Sequence, residues 1–411
     1  LSLLYRIVYN VVKMRILVVT QYYYPESFAI TNICEGLVKL GHRVQVLTSK
    51  PQYGFGEVPK DYQKITDEIV SGVNIHRVKT FARKRSKLSV LLNYLTFYRA
   101  AIQDVETLPG RFDVVLSVSL SPLMAIAPGI RYARKHQIPH LLYAVDVWPE
   151  SLLVTSYLNP KGLIYRLLKQ WSLKLYRQVD RIVVGSPSYI SHFNALVGQD
   201  KVASQALIQP ALIESIGKEK IDYGDGFHLV YAGNVGGIQQ LLPLIKAWKR
   251  TTQTDHLHII GEGRQLLTLK NLVNQLQLQQ RIHFYAHQTP ENLGKFLVDA
   301  DAFYVGLQTP GIVGKTIPHK LIQYLPFGQP ILGNIQGDGL AILKALKPSF
   351  ILHAKMTNLP TLIKKIKMLS IENKEAIRLQ HQQFYTEQYS IDKACERLVT
   401  HFNELIQLHK R

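Results

Sequence analysis

Several cations lie where a polar loop in the second half of the chain turns into a segment with an apolar stripe. Lys315 stands in the loop, Pro318 marks the expected first helical position, and His319 and Lys320 follow it, while Gly328 predicts the end of the helix. A helix N-terminus offers free N–H groups and a partial positive charge, to which these side chains add donors. The stretch therefore predicts a site for an anion such as a diphosphate. An ordinary basic helix start in a basic protein is the alternative.

Glycine-rich turns follow two predicted strands upstream of that loop. The strand at 228–233 ends in the run Gly-Asn-Val-Gly-Gly at 233–237. The next strand, at 257–260, is followed by a glycine pair around a carboxylate, Gly-Glu-Gly at 261–263. Glycines between a strand and a helix let backbone N–H groups come close to a phosphate. The candidates for phosphate or nucleotide binding here are Gly233, Asn234, Gly236, Gly237 and Glu262.

Two polar loops follow strands in the first half of the chain. Asp146, Trp148 and Glu150 come directly after a predicted strand that ends at Val145, with Pro149 fixing the turn. Side chains in this position are placed to meet a ligand beyond the sheet. The alternative is that Asp146 or Ser151 caps the following helix.

The loop at 21–28 follows the first predicted strand in the same way. It contains Tyr24, Pro25 and Glu26, which we expect at the same edge of the sheet.

Alternating strand and helix patterns must position these loops. Buried strands are predicted at 15–20, 43–49, 70–78, 113–119, 140–145 and 181–186, and again at 228–233, 257–260, 281–285, 302–307, 329–332 and 350–352. This rhythm predicts an α/β protein with two Rossmann-like, doubly wound parallel sheets. We expect domains at 14–212 and 213–388, followed by a C-terminal segment, 389–411, whose helix crosses back to the first domain.

The N-terminal residues, 1–13, precede Met14 and are expected to form an extension. They lack a small-residue cleavage site, so they are not predicted to be a signal peptide. Arg6, Lys13 and Arg15 interrupt the apolar run, which predicts a protein that does not span the bilayer. Cys34 and Cys395 match no disulfide or metal spacing, so a reducing, cytoplasmic location is expected.

A formal net charge of +20 predicts an anionic partner. No nucleic-acid-binding motif is present, so a membrane surface and phosphorylated substrates are favoured over nucleic acid. Two segments carry cations beside an apolar stripe: Phe81–Lys87 leads into Leu88, Leu91, Leu92 and Leu95, and Lys161–Arg177 sets Leu163, Leu167, Trp171 and Leu175 against Arg166, Lys169 and Arg177. Such helices suit an anionic lipid interface. The alternative is that both stripes pack on the sheet.

Taken together, the motifs resemble the retaining family 4 glycosyltransferases of the GT-B fold, in particular those that build capsular, O-antigen and exopolysaccharide repeat units. The resemblance covers nearly the whole chain from Met14. It is carried by the Tyr-x-x-Pro-Glu loop at 22–26, the Asp-x-Trp-Pro-Glu-Ser run at 146–151, the stretch Val179–Ser186, the Gly-Asn-x-Gly turn at 233–236 and the Pro-x-Lys-x-x-x-Tyr-x-x-x-Gly-x-Pro core at 318–330.

The resemblance implies two domains facing each other across a cleft, with a nucleotide-sugar donor (UDP-, GDP- or dTDP-linked) on the second. Lys315, His319, Lys320 and Gln323 would then join the glycine-rich turns in binding the donor, without a metal or cofactor. The acceptor implied is a polyprenyl-diphosphate-linked saccharide at the inner face of the cell membrane. Its side of the site would include Tyr24, Pro25, Glu26 and Trp148, and Asp146, Glu150 and Lys315 are the catalytic candidates.

The chain departs from the family at several of these positions. Lys315 and Gln323 stand where the family commonly has two glutamates, and Gln323 could still bind a ribose diol. Asn234 and Gln239 or Gln240 replace a usual Arg and Lys, so the cations for the leaving group must come from Lys315 and Lys320. Two other functions stay open: a catalytically silent, membrane-associated partner of a transferase, and a GT-B sugar-nucleotide 2-epimerase.

Overall fold

The computed structural model describes residues 13–53, 56–84, 86–155, 158–214, 217 and 219–410. The chain divides into two compact units, one formed by residues 1–209 together with 391–411 and the other by residues 210–390. Of the predicted N-terminal extension, 1–13, all but Lys13 lies outside the described residues.

The first unit is built on a seven-stranded sheet with the order β3-β4-β2-β1-β5-β6-β7. All pairs are parallel except that of β3 with β4. The central strands β5 and β6 are mostly apolar and are buried at every residue, as expected where helices cover both faces. The strands are β1 Arg15–Val19, β2 Arg43–Ser49, β3 Asp67–Val70, β4 Val73–Val78, β5 Val114–Ser119, β6 His140–Ala144 and β7 Arg181–Val184.

One strand prediction in this unit is wrong. The continuous strand expected over 70–78 is an antiparallel hairpin, in which Val70 pairs with Val73. Ser71 and Gly72 both have positive φ, 50° and 80°, and they turn the chain back on itself. The first sheet is therefore mixed at its edge, although it is otherwise parallel as predicted.

In the described part of the first unit, five helices precede the second unit: α1 Ala29–Lys39, α2 Lys87–Asp104, α3 Ala127–His136, α4 Leu163–Tyr176 and α5 Pro187–Val197. The cationic run at 81–84 is not helical, because α2 begins only at Lys87, where Ser86 caps it by accepting the Ser89 N–H. Ser89, Asn93, Phe97 and Ala101 form the buried face of α2.

The second unit contains a fully parallel six-stranded sheet, in the order β10-β9-β8-β11-β12-β13. Its strands are β8 Phe227–Ala232, β9 Asp255–Ile260, β10 Ile282–Tyr285, β11 Ala302–Gly306, β12 Ile331–Asn334 and β13 Phe350–Ile351. Its helices are α6 Leu241–Trp248, α7 Leu266–Gln275, α8 Pro290–Val298, α9 His319–Tyr324, α10 Gly337–Ala345, α11 Leu359–Lys367 and α12 Ile371–Gln388.

Helix α9 is shorter than predicted and begins one residue later. Pro318 lies outside it with an extended backbone, so His319 is the first helical residue. A tight turn at Leu325–Phe327 follows, and Gly328, with φ 80°, ends the segment. The next strand starts at Ile331, two residues after the predicted start at 329, and Pro330 before it has no N–H to donate to a neighbouring strand.

The last helix, α13 Ile391–His409, belongs to the first unit and packs on α1. A methyl group on Gly36 would lie 2.6 Å from the Cys395 sulfur, which shows how closely the two helices approach. Leu398 and Phe402 are fully buried in the core of this unit. Over the part of the chain that the structure describes, no helix is both long and apolar enough to cross a membrane.

Candidate functional site

The strand order of the second unit indicates where a ligand binds. From β8 the chain adds strands on one side, β9 and β10, and then continues on the other side with β11, β12 and β13, so the strand order reverses between β8 and β11. In such sheets, ligands bind beyond the carboxyl ends of the strands at that point. The loops after β8, β9, β11 and β12 all end there. Glycines let their backbones touch, because a side chain at Gly261 would collide with the Gly233 carbonyl and one at Gly306 with the Gln239 carbonyl.

Lys320 reaches this edge from the first turn of α9. A methyl group on Gly233 would lie 2.7 Å from its Nζ atom, and Nζ lies 5.1 Å from the centroid of the Tyr231 ring. The side chain is partly buried, and burial lowers the pKa of its ammonium group to about 8. Within the described residues, no carboxylate lies within 4.0 Å of it. A cation held here without a protein counter-charge is suited to an anionic ligand.

The loop between β11 and α9 is tied to the same edge. The Gln308 N–H donates to the Ile238 carbonyl at 2.9 Å, and the Gln336 side chain donates to the Thr309 carbonyl at 2.7 Å. Gly314 is required because a side chain there would collide with the same Thr309 carbonyl. Lys315 ends a short 3-10 turn and is exposed.

Two predicted donor-binding residues have protein partners instead. His319 Nε2 donates to the Pro210 carbonyl at 2.8 Å, and Gln323 Oε1 accepts the Leu212 N–H at 2.8 Å. They are four residues apart on one face of α9 and hold residues 210–212. Gln323 is buried, and its oxygen accepts that backbone N–H, while its Nε2 group has no hydrogen-bond partner among the described residues. Its role in binding a ribose diol stays a prediction.

The other predicted residues of the glycine-rich turns lie at the rim of this edge. Asn234, Gly237 and Glu262 are exposed, and Gly236 is partly buried. The Glu262 carbonyl accepts the Val235 N–H at 2.8 Å, which joins the turns after β8 and β9. The Asn234 and Glu262 side chains are thus accessible to a ligand that reaches Lys320 and Gly233.

In the first unit, Asp146 follows β6 and is partly buried. Burial raises the pKa of its carboxyl group to about 7. Among the described residues, no side chain or N–H forms a hydrogen bond with this carboxylate, and the Ser151 hydroxyl also has no partner. Neither residue therefore caps a helix, and Asp146 is an accessible carboxylate whose protonation changes near neutral pH.

Glu150 and Trp148 both contact helices of the first unit, while Glu150 Oε2 and Trp148 Nε1 have no hydrogen-bond partner among the described residues. The Glu150 Oε1 atom accepts the Tyr165 hydroxyl at 3.3 Å and lies 3.6 Å from Lys169 Nζ and 3.7 Å from His192 Nε2. Trp148 is buried, and its backbone N–H and carbonyl both bond the Tyr176 hydroxyl. The structure thus places both residues against the α4 and α5 side of the unit.

The loop after β1 is fixed by Glu26. Its buried carboxylate accepts the backbone N–H groups of Gln52 at 2.7 Å and Tyr53 at 2.5 Å. Burial raises the pKa of Glu26 to about 7, although these hydrogen bonds oppose the shift. Tyr24 contributes its carbonyl to Arg77 at 2.6 Å, and Pro25 is partly buried. These three residues shape the strand-end loops of β1 and β2.

The structure also reveals a cluster that the sequence analysis missed. Arg83 Nη1 donates to the hydroxyl groups of Tyr22 at 2.6 Å and Tyr94 at 2.9 Å, and the Tyr53 ring lies beside the same guanidinium. Arg83 is partly buried among these tyrosines, so it is not a fully solvated cation, and its predicted contact with lipid stays a prediction. Arg85, in the same run, lies outside the described residues. The sequence offered one indication of this cluster, because Tyr22 and Tyr53 both follow predicted strands.

Comparisons with known proteins agree with this architecture. A family model described as Glycosyltransferase Family 4 matches residues 28–203, and one described as Glycosyl transferases group 1 matches residues 218–380. No curated protein sequence matches the chain.

Several solved structures share the fold. HepE of Anabaena in complex with UDP-glucose is 12% identical, with 95% of this chain and 100% of that chain covered and a TM-score of 0.68. Sucrose-phosphate synthase from Thermosynechococcus elongatus is 12% identical, with 96% and 100% covered and a TM-score of 0.72. WaaG, a glycosyltransferase involved in lipopolysaccharide biosynthesis, is 13% identical, with 95% and 99% covered and a TM-score of 0.63.

The predicted fold class is thereby confirmed. The two family models match one compact unit each, and the structural neighbours share the fold over at least 95% of the chain. The chain is a glycosyltransferase of the GT-B type, similar to family 4.

Proposed function

We propose that this glycosyltransferase moves a sugar from a nucleoside diphosphate sugar to a saccharide acceptor, and that Lys320 binds the donor's diphosphate. The observation that carries the proposal is the partly buried Lys320 ammonium beside Gly233, with no carboxylate within 4.0 Å in the described part of the chain. The structural neighbour HepE binds UDP and UDP-glucose, which supports a nucleotide donor of this kind. The Gly-Asn-x-Gly turn would bring backbone N–H groups to the same phosphates.

The reaction proposed is a front-face transfer that retains the anomeric configuration. The bond between the anomeric carbon and the β-phosphate oxygen breaks, and the nucleoside diphosphate leaves with the electron pair. The acceptor hydroxyl attacks the same face and passes its proton to a phosphate oxygen of the leaving group. Because negative charge on that phosphate grows as the bond breaks, a fixed cation stabilises the transition state more than the bound donor. Lys320 supplies that cation, and the exposed Lys315 is the second candidate.

Asp146 is assigned to the acceptor side. It is accessible and lies past β6, and a carboxyl group with a pKa of about 7 can accept or share a proton at neutral pH. It would orient the acceptor hydroxyl and assist the loss of its proton. Glu150, held by Tyr165, Lys169 and His192, is assigned to positioning the segment that carries Asp146.

The acceptor is proposed to be a polyprenyl-diphosphate-linked saccharide at the cytoplasmic face of the membrane, in the synthesis of a capsule, O-antigen or exopolysaccharide. Exposed apolar side chains beside cations support a membrane-facing surface, formed by Leu88, Leu91 and Leu95 on α2 and by Leu163, Ile164 and Leu167 on α4. The α2 leucines do not pack on the sheet, because the opposite face of that helix is buried. On α4 the stripe is divided, since Leu175 is buried.

Sedimentation with anionic vesicles tests this surface. We expect Leu91→Ser with Leu167→Ser to reduce binding, and about 0.5 M salt to reduce it further because the Debye length falls to a few ångströms. Leu379→Ser is the matched control, because Leu379 is an exposed leucine on α12 of the other unit. Binding that survives both the substitutions and the salt contradicts a lipid-facing role for these helices.

Calorimetric titration with UDP, GDP and dTDP tests the donor site. We expect one of them to bind and Lys320→Ala to weaken that binding by about 1.5–3 kcal/mol, the range of a hydrogen bond to a charged group. A screen of the corresponding nucleotide sugars against a short polyprenyl-diphosphate-linked sugar would then identify the donor, and NMR of the product would show whether the anomeric configuration is retained. Unchanged affinity in Lys320→Ala would exclude this lysine from the donor site.

A second candidate is a catalytically silent, membrane-associated partner of a transferase. It is favoured by the use of His319 and Gln323 in holding residues 210–212. Failure of all three nucleotides to bind would support it over the enzyme. Release of an epimerised nucleotide sugar without an acceptor would instead indicate the 2-epimerase.

A further inference from the structure

Arg83 lies at the carboxyl edge of the first sheet, and among the described residues its Nε and Nη2 groups have no hydrogen-bond partner. Its Nη1 group donates to the hydroxyls of Tyr22 and Tyr94, and its guanidinium carbon lies 5.2–5.6 Å from the centroids of the Tyr22, Tyr53 and Tyr94 rings. A guanidinium has five N–H donors, so those on Nε and Nη2 remain. Across the described ranges, no Asp or Glu oxygen lies within 4.0 Å of this side chain.

The backbone around Arg83 is fixed by buried polar side chains. Its N–H donates to Gln52 Oε1 at 3.0 Å, and Gln52 is fully buried and also donates to the Thr80 hydroxyl. Asn93, likewise fully buried, donates to the Phe81 carbonyl at 2.7 Å. The guanidinium is therefore held in place before any ligand arrives, which reduces the entropic cost of binding one.

A nearby arginine shows what a purely structural role looks like in this unit. Arg77, on β4, is fully buried, and its Nε donates to Glu68 at 2.6 Å. Its Nη2 donates to the Tyr24 carbonyl at 2.6 Å, so charge and donors are both matched by the protein. Arg83 has phenols and aromatic faces for partners but no counter-charge, which leaves it suited to an anion from outside.

Arg83 and Asp146 both lie at the carboxyl edge of the first sheet. Tyr22, Tyr53, Arg83 and Asp146 follow β1, β2, β4 and β6, whose carboxyl ends share one edge of the sheet. The pKa of Tyr53 is raised chiefly by desolvation, while the charge of Arg83 lowers it and that of Asp146 raises it. Tyr53 is thus within electrostatic reach of both. An acceptor whose hydroxyl meets Asp146 can place an anionic group near Arg83.

An apolar surface begins beside this arginine. Helix α2 starts four residues after Arg83 and exposes Leu88 by 65% and Leu91 by 51%. Tyr94, which bonds Arg83, lies on the same helix. A cation next to an exposed leucine stripe suits a phosphate group attached to a lipid chain.

We propose that Arg83 binds the phosphate or diphosphate through which the acceptor saccharide is linked to its lipid. The Nε and Nη2 groups would donate to phosphate oxygens, the phenols would keep the guanidinium in position, and the prenyl chain would lie along the α2 leucines. This inference rests on the proposed function, because it assigns the first unit to the acceptor. It names Arg83 as a residue that selects phosphate-linked acceptors over neutral ones.

The test uses the full-length chain carrying Lys320→Ala, so that the donor site does not capture the probe. Farnesyl diphosphate is titrated below its aggregation concentration by calorimetry, with farnesol and inorganic pyrophosphate as comparison ligands. We expect Arg83→Gln to weaken farnesyl diphosphate binding at least tenfold, on the order of the loss of one charged hydrogen bond. Arg99→Gln is the matched control, because Arg99 is an exposed cation on α2. The affinity of this variant for farnesyl diphosphate should stay within about twofold of its parent's.

Equal affinity in Arg83→Gln and its parent, or an equal loss in Arg99→Gln, would overturn the proposal. Pyrophosphate bound as tightly as farnesyl diphosphate would assign the site to a free phosphate compound and overturn the lipid-linked acceptor. If Arg83→Gln fails to fold by circular dichroism, Arg83→Lys decides: it keeps the charge without the fork, and an unchanged affinity overturns the proposal. The UDP titration of the wild-type protein tests the donor independently, so the two proposals fail separately.

Discussion

The Lys320 side chain runs directly across the α-carbon of Gly233. A methyl group at Gly233 would lie 2.7 Å from Nζ, well inside van der Waals contact, and it would meet the Cε atom as well. Gly233 also has a φ of 133°, which residues with a side chain rarely adopt. The glycine therefore provides both the turn after β8 and the space in which the lysine reaches the turn.

This relationship predicts the effect of Gly233→Ala. The new methyl group must displace Lys320, and the turn must change its backbone angles, so we expect nucleoside diphosphate binding to weaken at least tenfold. Calorimetry with the nucleotide that binds the wild-type protein measures the loss. Gly294→Ala is the control, because among the described residues a methyl group there would have no neighbour within 4 Å apart from the adjacent residues and the backbone of its own helix. Wild-type affinity in Gly233→Ala would show that the phosphates do not use this turn.

The pKa of Lys320 makes a second prediction. Burial lowers that pKa to about 8, so above pH 8 much of the free protein has a neutral amine that must gain a proton when a diphosphate binds. Nucleotide affinity should therefore fall as the pH rises through 8. At pH 8.5 binding should take up a fraction of a proton, because the phosphate's own second pKa is about 6 and contributes little.

Calorimetry in two buffers of different ionisation enthalpy measures that proton uptake. Lys320→Arg should bind without it, because arginine stays charged at this pH. Lys320→Ala should show neither the uptake nor the pH dependence. Equal proton uptake in the wild-type protein and in Lys320→Arg would assign the proton to another group.

Sequence patterns predicted most of the strands of the two sheets. Mostly apolar runs such as 16–19 and 227–232 lie in strands that are buried at every one of these residues, and a local pattern records that burial directly. The hairpin at 67–78 was missed because residues on both sides of Ser71 and Gly72 favour strands, although Ser-Gly is itself a turn signal.

Sequence patterns could not supply the contacts between distant segments. Helical spacing indicates that His319 and Gln323 share a face of α9, but only the structure shows that the backbone at 210–212 covers that face. The basic neighbours of Arg83 in sequence predicted a cation that faces solvent or lipid. Its partners in the structure are tyrosines from three other segments, the loops after β1 and β2 and helix α2. Such partners leave no periodic trace.

The third prediction concerns Asp146. Asp146→Asn is nearly isosteric and removes the charge, so we expect the transfer rate to fall by about 10²-fold or more, the usual contribution of a positioned acid–base group. Nucleotide affinity should stay within about twofold, because the donor site lies in the other unit. With a pKa of about 7, the carboxylate is lost as the pH falls, so the wild-type rate should decline below pH 7 and the variant should lack that step.

Side-by-side rates and nucleotide titrations of the two proteins measure both effects. Full transfer by Asp146→Asn would reduce the segment 146–151 to a structural turn. Glu150→Gln is the matched carboxylate control: because Glu150 contacts Tyr165, Lys169 and His192, we expect it to lower thermal stability and to leave the pH step in place.

Four histidines stack across β8, β9 and β10 in the second unit: His228, His256, His258 and His283. Their hydrogen bonds define which nitrogens carry protons. The Gly224 carbonyl must accept from His228 Nε2, so His228 Nδ1 accepts from His258 Nε2 at 3.1 Å, and His258 Nδ1 accepts the Tyr285 hydroxyl at 3.1 Å. In this arrangement each of the two rings donates through Nε2 and accepts through Nδ1.

The last prediction is that this stack makes the second unit sensitive to acid. Burial, with the neighbouring histidines, lowers the pKa of His258 to about 3, below the value of about 6.5 expected in the unfolded chain. The unfolded state therefore binds more protons at acidic pH, and stability is lost as the pH falls from 6.5 towards 3. At pH 5 the loss of folding free energy due to His258 alone is about 2 kcal/mol.

Urea denaturation at pH 7.5 and 5.0, followed by hydrogen exchange in peptides that cover β9, measures this loss for the second unit separately. The difference between the two pH values should shrink by about that amount in His258→Gln, whatever the variant's stability at pH 7.5, and should not change in His287→Gln, an exposed histidine of the same unit. An equal acid sensitivity in His258→Gln and the wild-type protein would show that the stack is not its source.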